Sequence, residues 1–203
     1  MTLLSLNIIC GHAGVGKTNF ALNLAVAAPA CSTIVDLDVV NPYFRTSDNA
    51  AFLNEHNVKM LGPVFGGSSG DAPSLMPGIN TAIQEATRDC PVIVDVGGDP
   101  DGAKALARFK PDVLKQEDRQ VIYVVNFRRP ETATVDDNIM MMRMIEGVSG
   151  VSVTSIFSNT NLGASTDEAI VAEGDKLAAE LADATGLPLF DFDVRRIVKT
   201  IWE

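Results

Sequence analysis

Residues 3–28 pass from an apolar run through a glycine-rich loop into a helical pattern, an order that few folds accommodate. Residues 3–10 are short and mostly apolar, as a buried strand should be. Residues 19–28 carry a helical pattern that stops at Pro29. Between them stands Gly11-His12-Ala13-Gly14-Val15-Gly16-Lys17-Thr18, with the spacing G-x-x-x-x-G-K-[ST]. Between a strand and a helix, that spacing reads as a phosphate-binding loop. Its glycines permit a tight turn whose N–H groups converge on phosphate oxygens. The helix start adds unpaired donors and the positive end of its dipole. Gly11, Ala13, Gly14, Val15, Gly16, Lys17, Thr18 and Asn19 are therefore candidate nucleotide contacts. Lys17 is expected to reach the outer phosphates and assist catalysis, and the Thr18 hydroxyl to hold Mg²⁺.

The rest of the chain repeats the alternation of apolar runs and helical patterns, which implies parallel strands joined by helical crossovers. Strands are predicted near 3–10, 32–37, 57–61, 91–96, 120–126, 151–158 and 188–192. Helices are predicted near 17–28, 47–54, 73–88, 101–109, 131–147 and 166–185. Runs such as Val121-Ile122-Tyr123-Val124-Val125 are apolar on both faces, as strands covered from two sides are. The expected fold is a three-layer α/β P-loop NTPase, with helices on both faces of a mostly parallel sheet of roughly seven strands. Its 203 residues suit a single nucleotide-binding domain over 1–203.

Composition narrows the function classes. A net charge of −10 argues against a broad nucleic-acid surface. No apolar run is long enough for a transmembrane span and no signal peptide is evident, so a cytoplasmic location is expected. Cys10, Cys31 and Cys90 are read as buried free thiols of a reducing compartment.

Ligands of open parallel sheets sit beyond the carboxyl ends of the strands. Two acidic strand ends stand out: Asp36-Leu37-Asp38 after Ile34-Val35, and Asp95-Val96-Gly97-Gly98-Asp99 after Val92-Ile93-Val94. Asp95 has the form of an aspartate that binds Mg²⁺ directly or through water. Asp38 is read as a catalytic residue that orients water or holds a metal-bound water. Strand-end aspartates also cap helices, and for Asp36 the two readings are balanced. Gly97 and Gly98 would let the next segment approach and sense the γ-phosphate. Thr18, Asp38 and Asp95 form the candidate metal set, and Gly98 joins the candidate nucleotide contacts.

Taken with the phosphate loop, Val35-Asp36-Leu37-Asp38 and Asp95-Val96-Gly97-Gly98 resemble the MinD/ParA branch of the signal-recognition-like P-loop NTPases. Asp36-Leu37-Asp38-Val39-Val40-Asn41-Pro42-Tyr43-Phe44-Arg45, Asn126-Phe127-Arg128-Arg129-Pro130 and Asn159-Thr160-Asn161-Leu162-Gly163 resemble CobQ/CobB/MinD/ParA-type nucleotide-binding proteins more narrowly. The resemblance implies ATP and Mg²⁺ as cofactors, slow ATPase activity, and a nucleotide switch acting on a homodimer or another protein partner. It also implies that Asn159 meets the adenine amino group; the alternative is an asparagine in a polar turn. A guanine site has Asn-Lys-x-Asp where this chain has Asn159-Thr160-Asn161-Leu162. One position departs from the branch: His12 stands where its members place a second lysine. Arg45, Arg128 or Arg129 is a candidate for the missing charge, against the alternative of solvated surface arginines.

Other features leave more than one reading open. Residues 194–202 form a short amphipathic pattern that suits either membrane contact or packing on the core or a partner. The methionine-rich residues 139–145 read as the buried face of a helix with one or two methionines exposed, His56 as a surface residue, and 62–73 as a flexible loop. Two further function classes compete with the switch. One is an acyl-phosphate-forming enzyme of the dethiobiotin or cobyrinate synthetase type, and the other is a binding module without turnover.

Overall fold

A computed structural model describes residues 3–29, 31–38, 49–64, 74–75, 78–98 and 100–192. Arg45, Asp99, residues 65–73 and the tail 194–202 lie outside the described residues. The main sheet has six strands, all parallel: β1 (Leu6–Cys10), β2 (Thr33–Asp36), β3 (Lys59–Leu61), β6 (Val92–Asp95), β7 (Arg119–Val125) and β8 (Ser155–Ser158). Their order is β3-β2-β6-β1-β7-β8. A short antiparallel pair, β4 (Pro63–Val64) and β5 (Ser74–Leu75), stands apart from it.

The helices are α1 (Lys17–Ala27), α2 (Ala50–Glu55), α3 (Ile79–Glu85), α4 (Pro100–Lys115), α5 (Val135–Ser149) and α6 (Glu168–Thr185). They cover both faces of the sheet, because alternate strand residues feed two separate cores. Ile9, Ile34, Ile93 and Ile122 pack with Phe20 and Leu24 of α1 and with Leu53 of α2. Ile8, Val35, Val94 and Tyr123 pack on the opposite side with Ile83, Leu106, Ile145 and Leu181 of α3 to α6. The three-layer expectation therefore holds, with six strands in place of seven.

The strand expected at 188–192 shrinks to one parallel bridge between Ile156 and Leu189. Two bonds remain, from the Ile156 N–H to the Pro188 carbonyl (3.0 Å) and from the Phe190 N–H to the Ile156 carbonyl (2.7 Å). Pro188 has no N–H to extend the ladder. The strand expected from 151 begins at Ser155 because side chains intercept the backbone before it. Glu146 accepts the Val153 N–H (2.8 Å) and Thr154 Oγ1 accepts that of Val121 (2.9 Å).

Helix ends follow local chemistry. Thr134 and Asp137 form a reciprocal cap on α5, Asp167 caps α6, and both helices end at glycines of positive φ, Gly150 and Gly186. The helix expected to stop at 109 continues to Lys115 through Pro111. Pro111 is exposed, so water can take the carbonyl it frees, while buried Leu106, Phe109 and Val113 carry the helix along the core.

Cys31 and Cys90 are joined in a disulfide, with Cα atoms 4.9 Å apart. Both are exposed, and Cys10 is the one free thiol, buried where desolvation pushes it up to about 12. This corrects the reading of three buried free thiols. Thr33 and Val92 are ladder partners, and each cysteine lies two residues before one of them. Parallel pairing thus brings together residues that are 59 apart in sequence. The argument for a reducing compartment falls with the correction.

Candidate phosphate-binding site

The site lies at the carboxyl ends of β1, β2 and β6, where the chain leaves β1 and turns into α1. Gly11 (φ 144°) and Gly16 (φ 93°) hold the turn in backbone regions that other residues rarely adopt. Gly16 is the N-cap of α1 and contributes no side-chain cap, so the first-turn N–H groups remain available for an anion. Val15 is fully buried and anchors the loop, while Ala13 and Gly14 are exposed at its crest. Asn19 accepts from Asn23 Nδ2 at both its side-chain oxygen (2.6 Å) and its carbonyl (2.7 Å).

Lys17 is buried and its ammonium group donates to the His12 carbonyl (2.9 Å), within the loop itself. A methyl group on Gly98 would lie 2.6 Å from Lys17 Nζ and as close to Ala13 Cα. The segment after β6 therefore rests on the phosphate loop, and only the lack of a side chain permits it. Gly97 makes a similar approach: a methyl there would be 3.3 Å from Asp38 Oδ1 and 3.1 Å from Gly102 Cα in α4. Four segments meet at these glycines: the loop, the end of β2, the end of β6 and the start of α4.

Asp95 and Asp36 are buried side by side as ladder partners. Neither oxygen of Asp95 has a hydrogen-bond partner. Burial pushes the Asp95 carboxyl up to about 7, and Asp36 adds to the effect. Lys17 and Thr18 pull the other way; the Thr18 hydroxyl is near without reaching hydrogen-bond geometry to either oxygen. Asp38 is half-buried and its N–H donates to Asp36 Oδ1 (2.9 Å). Asp36 is thus partly a loop-shaping acceptor.

An orphaned buried carboxylate beside a threonine hydroxyl fits Mg²⁺, which takes few protein ligands and completes its shell with water and phosphate oxygens. Among the described residues no group of three or more His, Cys, Asp or Glu side chains forms a metal site by itself. Metal at this place would depend on phosphates.

Asn159, read as a base contact, donates its Nδ2 to the Val15 carbonyl (2.7 Å) and lies against Gly16. Its carbonyl accepts from Asn161 Nδ2 (2.7 Å). The loop after β8 thereby braces the phosphate loop, with one Asn159 N–H committed to that brace. Thr160 is buried, accepting the Phe127 N–H (3.3 Å) and packing on Gly174 of α6, while Leu162 is exposed.

Asn126, whose place in the sequence points only to a family resemblance, organises two loops. It is fully buried, accepts the Arg128 N–H (2.9 Å) and donates to the Asn161 carbonyl (3.1 Å). An amide directly after five apolar strand residues is the local signal for such a role. Arg128 forms an ion pair with Glu173 of α6. The exposed Arg129 lies over Gly14, its Nε 3.9 Å from where a methyl group on that glycine would be. The His12 ring turns back on its own loop, with Nδ1 3.0 Å from the Ala13 carbonyl oxygen, a hydrogen bond in the tautomer that protonates Nδ1. His56 is exposed, with Nδ1 2.9 Å from the Phe52 carbonyl oxygen. Of the methionines, Met142 is buried, whereas Met140 and Met144 are exposed.

Among solved structures, the chain is similar to the cell division protein FtsY of Thermotoga maritima, at 14% identity and a TM-score of 0.59, over 100% of this chain and 69% of that one. It is similar to the signal recognition particle receptor FtsY from Elizabethkingia anophelis in complex with GDP, at 13% identity and 0.56, over 100% and 64%. It is also similar to the signal recognition particle 54 kDa protein from Aeropyrum pernix K1 in complex with GDP, at 17% identity and 0.53, over 97% and 45%. The chain thus spans between 45% and 69% of the length of these proteins. No protein-family model matches the sequence, and no curated protein does. At such identities the likeness is one of fold alone, an α/β P-loop NTPase fold.

Proposed function

We propose that the chain binds a nucleoside triphosphate with Mg²⁺, hydrolyses it slowly and works as a MinD/ParA-like nucleotide switch, with ATP its nucleotide. The observation that carries the reading is Asp95: a buried carboxylate with no hydrogen-bond partner, placed beside Thr18 below the phosphate loop. In this reading the loop amides and Lys17 hold the phosphates, and Thr18 and Asp95 hold the metal, which neutralises charge on the transferring phosphoryl group. Lys17 would exchange the His12 carbonyl for a phosphate oxygen. Asp38 would orient the attacking water. The contact of Gly98 with the loop makes the segment after β6 the part that responds to the third phosphate.

The preference for adenine is supported by positions 160 and 162, the first and third after Asn159. Where a guanine site needs lysine and aspartate, Thr160 is turned into the protein and Leu162 is an exposed apolar side chain. Neither offers the carboxylate that accepts guanine N–H groups. The inward turn of His12 supports a nucleotide-dependent dimer that is weaker than those joined by a second lysine. GDP in two of the similar structures makes guanine the alternative to test.

Calorimetric titration of the folded protein with ATP, GTP and their diphosphates, with and without Mg²⁺, tests the reading. The expected result is Mg²⁺-dependent triphosphate binding, tighter for ATP, that is lost in Lys17→Ala and loses its metal dependence in Asp95→Asn. Absence of heat with every nucleotide would overturn it; tighter GTP binding would overturn the adenine assignment alone. Phosphate release stimulated by a small carboxylate, not by a macromolecule, would favour the acyl-phosphate enzyme.

A further inference from the structure

The backbone at Arg129 is fixed by contacts that leave its side chain out. Its N–H donates to the Asn126 carbonyl (3.2 Å), and its own carbonyl accepts the Thr132 N–H (3.1 Å). The Thr132 hydroxyl donates to that same Asn126 carbonyl (2.9 Å), and Asn138 Nδ2 donates to the Thr132 carbonyl (3.0 Å). Asn126, Thr132 and Asn138 are all fully buried. A rigid polar clamp therefore presents an exposed arginine at one defined place, against the crest of the phosphate loop at Gly14.

The neighbouring arginine is used differently. Arg128 leans away onto α6, paired with Glu173. Arg129 makes no ion pair among the described residues. It stands on the exposed side of the loop, while Lys17 occupies the buried side. A polyphosphate in the loop would lie between an ammonium group and a guanidinium, and a guanidinium fork matches the spacing of phosphate oxygens.

We propose that Arg129 is a nucleotide-binding residue, whose guanidinium reaches past Gly14 to a phosphate oxygen and supplies from the same chain the charge that His12 does not. The inference rests on the nucleotide-binding reading above and deepens it. Because the arginine acts within one chain, the affinity it confers is independent of protein concentration.

Fluorescence titration with ribose-labelled ATP and ADP in Mg²⁺, at two protein concentrations, tests this in Arg129→Ala, Arg129→Lys and Arg128→Ala. Losing one charge-assisted contact should weaken ATP binding about tenfold in Arg129→Ala, and ADP binding less. Arg129→Lys should recover part of the loss, and Arg128→Ala should bind as the unaltered protein does. Melting without nucleotide should be unchanged in Arg129→Ala, which separates a lost contact from a damaged fold. ATP binding by Arg129→Ala within twofold of the unaltered protein would overturn the assignment and leave the nucleotide reading intact. No binding by the unaltered protein would instead remove the reading itself, and the role of Arg129 with it.

Discussion

Asp36 and Asp95 are ladder partners at the carboxyl ends of β2 and β6, so two buried carboxylates stand side by side beneath the phosphate loop. Two such groups repel when both are ionised, and burial disfavours the charged form of each. Without a cation the protein relieves this by keeping a proton on Asp95, whose carboxyl is pushed up to about 7.

A pH dependence of stability follows for the ligand-free protein. Below the ordinary carboxylate range Asp95 is protonated in both the folded and the unfolded chain, and contributes no slope. Between that range and about 7 the unfolded chain has released the proton while the folded one retains it. Folding then takes up a proton, so stability falls as pH rises through this window and levels off above it. Asp95→Asn should remove this part of the slope and raise stability at pH 8 by on the order of 2 kcal/mol, the scale of an uncompensated buried charge. Urea unfolding of both proteins at several pH values between 4 and 8 would check it; parallel curves for the two would sink the idea.

Gly98 yields a prediction about binding, separate from stability. Any side chain there meets the Ala13 backbone and the Lys17 ammonium group. The segment after β6 must then lift from the loop, or the lysine must leave its place. Gly98→Ala should cost about tenfold or more in triphosphate affinity, as misplacement of a binding group does, with a smaller effect on the diphosphate. Paired titrations with the two nucleotides measure the difference. Equal losses for both would place the damage in the loop itself and not in a segment that responds to the third phosphate.

The disulfide makes a claim of its own. Closing the stretch from Cys31 to Cys90 restricts the unfolded chain, and a link of this span contributes about 4 kcal/mol in the chain-entropy account. Cys31→Ser with Cys90→Ser should therefore lower the urea midpoint without changing the register of β2 on β6. Thiol titration of the unfolded, unreduced protein should find one reactive group, Cys10. Finding three would show that the pair is not joined.

How far the sequence reveals this molecule depends on the range of each interaction. The phosphate loop is legible because its chemistry lies within eight consecutive residues, 11–18, and the buried strands because both of their faces are apolar. The Cys31–Cys90 link is not legible, since it depends on which strands become neighbours. Asn159 shows its type but not its use: the bond to Val15 spans 144 positions. The same holds for Arg129, which no local pattern places beside Gly14. The end expected at 109 differs for another reason: the local cost of Pro111 is outweighed by the apolar stripe of α4.

Gly174 offers a test in which helix propensity and packing predict opposite signs. It lies inside α6, where replacing glycine with alanine ordinarily stabilises a helix by about 1 kcal/mol. Here the new methyl group would overlap Thr160 at Cβ and Oγ1, which lie closer still than Cγ2 at 2.7 Å. Thr160 cannot simply turn aside, because it is buried and its hydroxyl accepts the Phe127 N–H. Overpacking of this kind costs about 1–3 kcal/mol. Gly174→Ala should thus destabilise the protein, and the strain should travel through the loop after β8 to Asn159 and its bond with Val15. The double variant Gly174→Ala with Thr160→Ser removes Cγ2 alone and keeps the closer Cβ and Oγ1, so it should recover only a small part of the loss. Denaturant unfolding of the single and double variants, read together with nucleotide affinity, decides the matter. A more stable Gly174→Ala would mean that helix propensity prevails and that α6 does not bear on the loop.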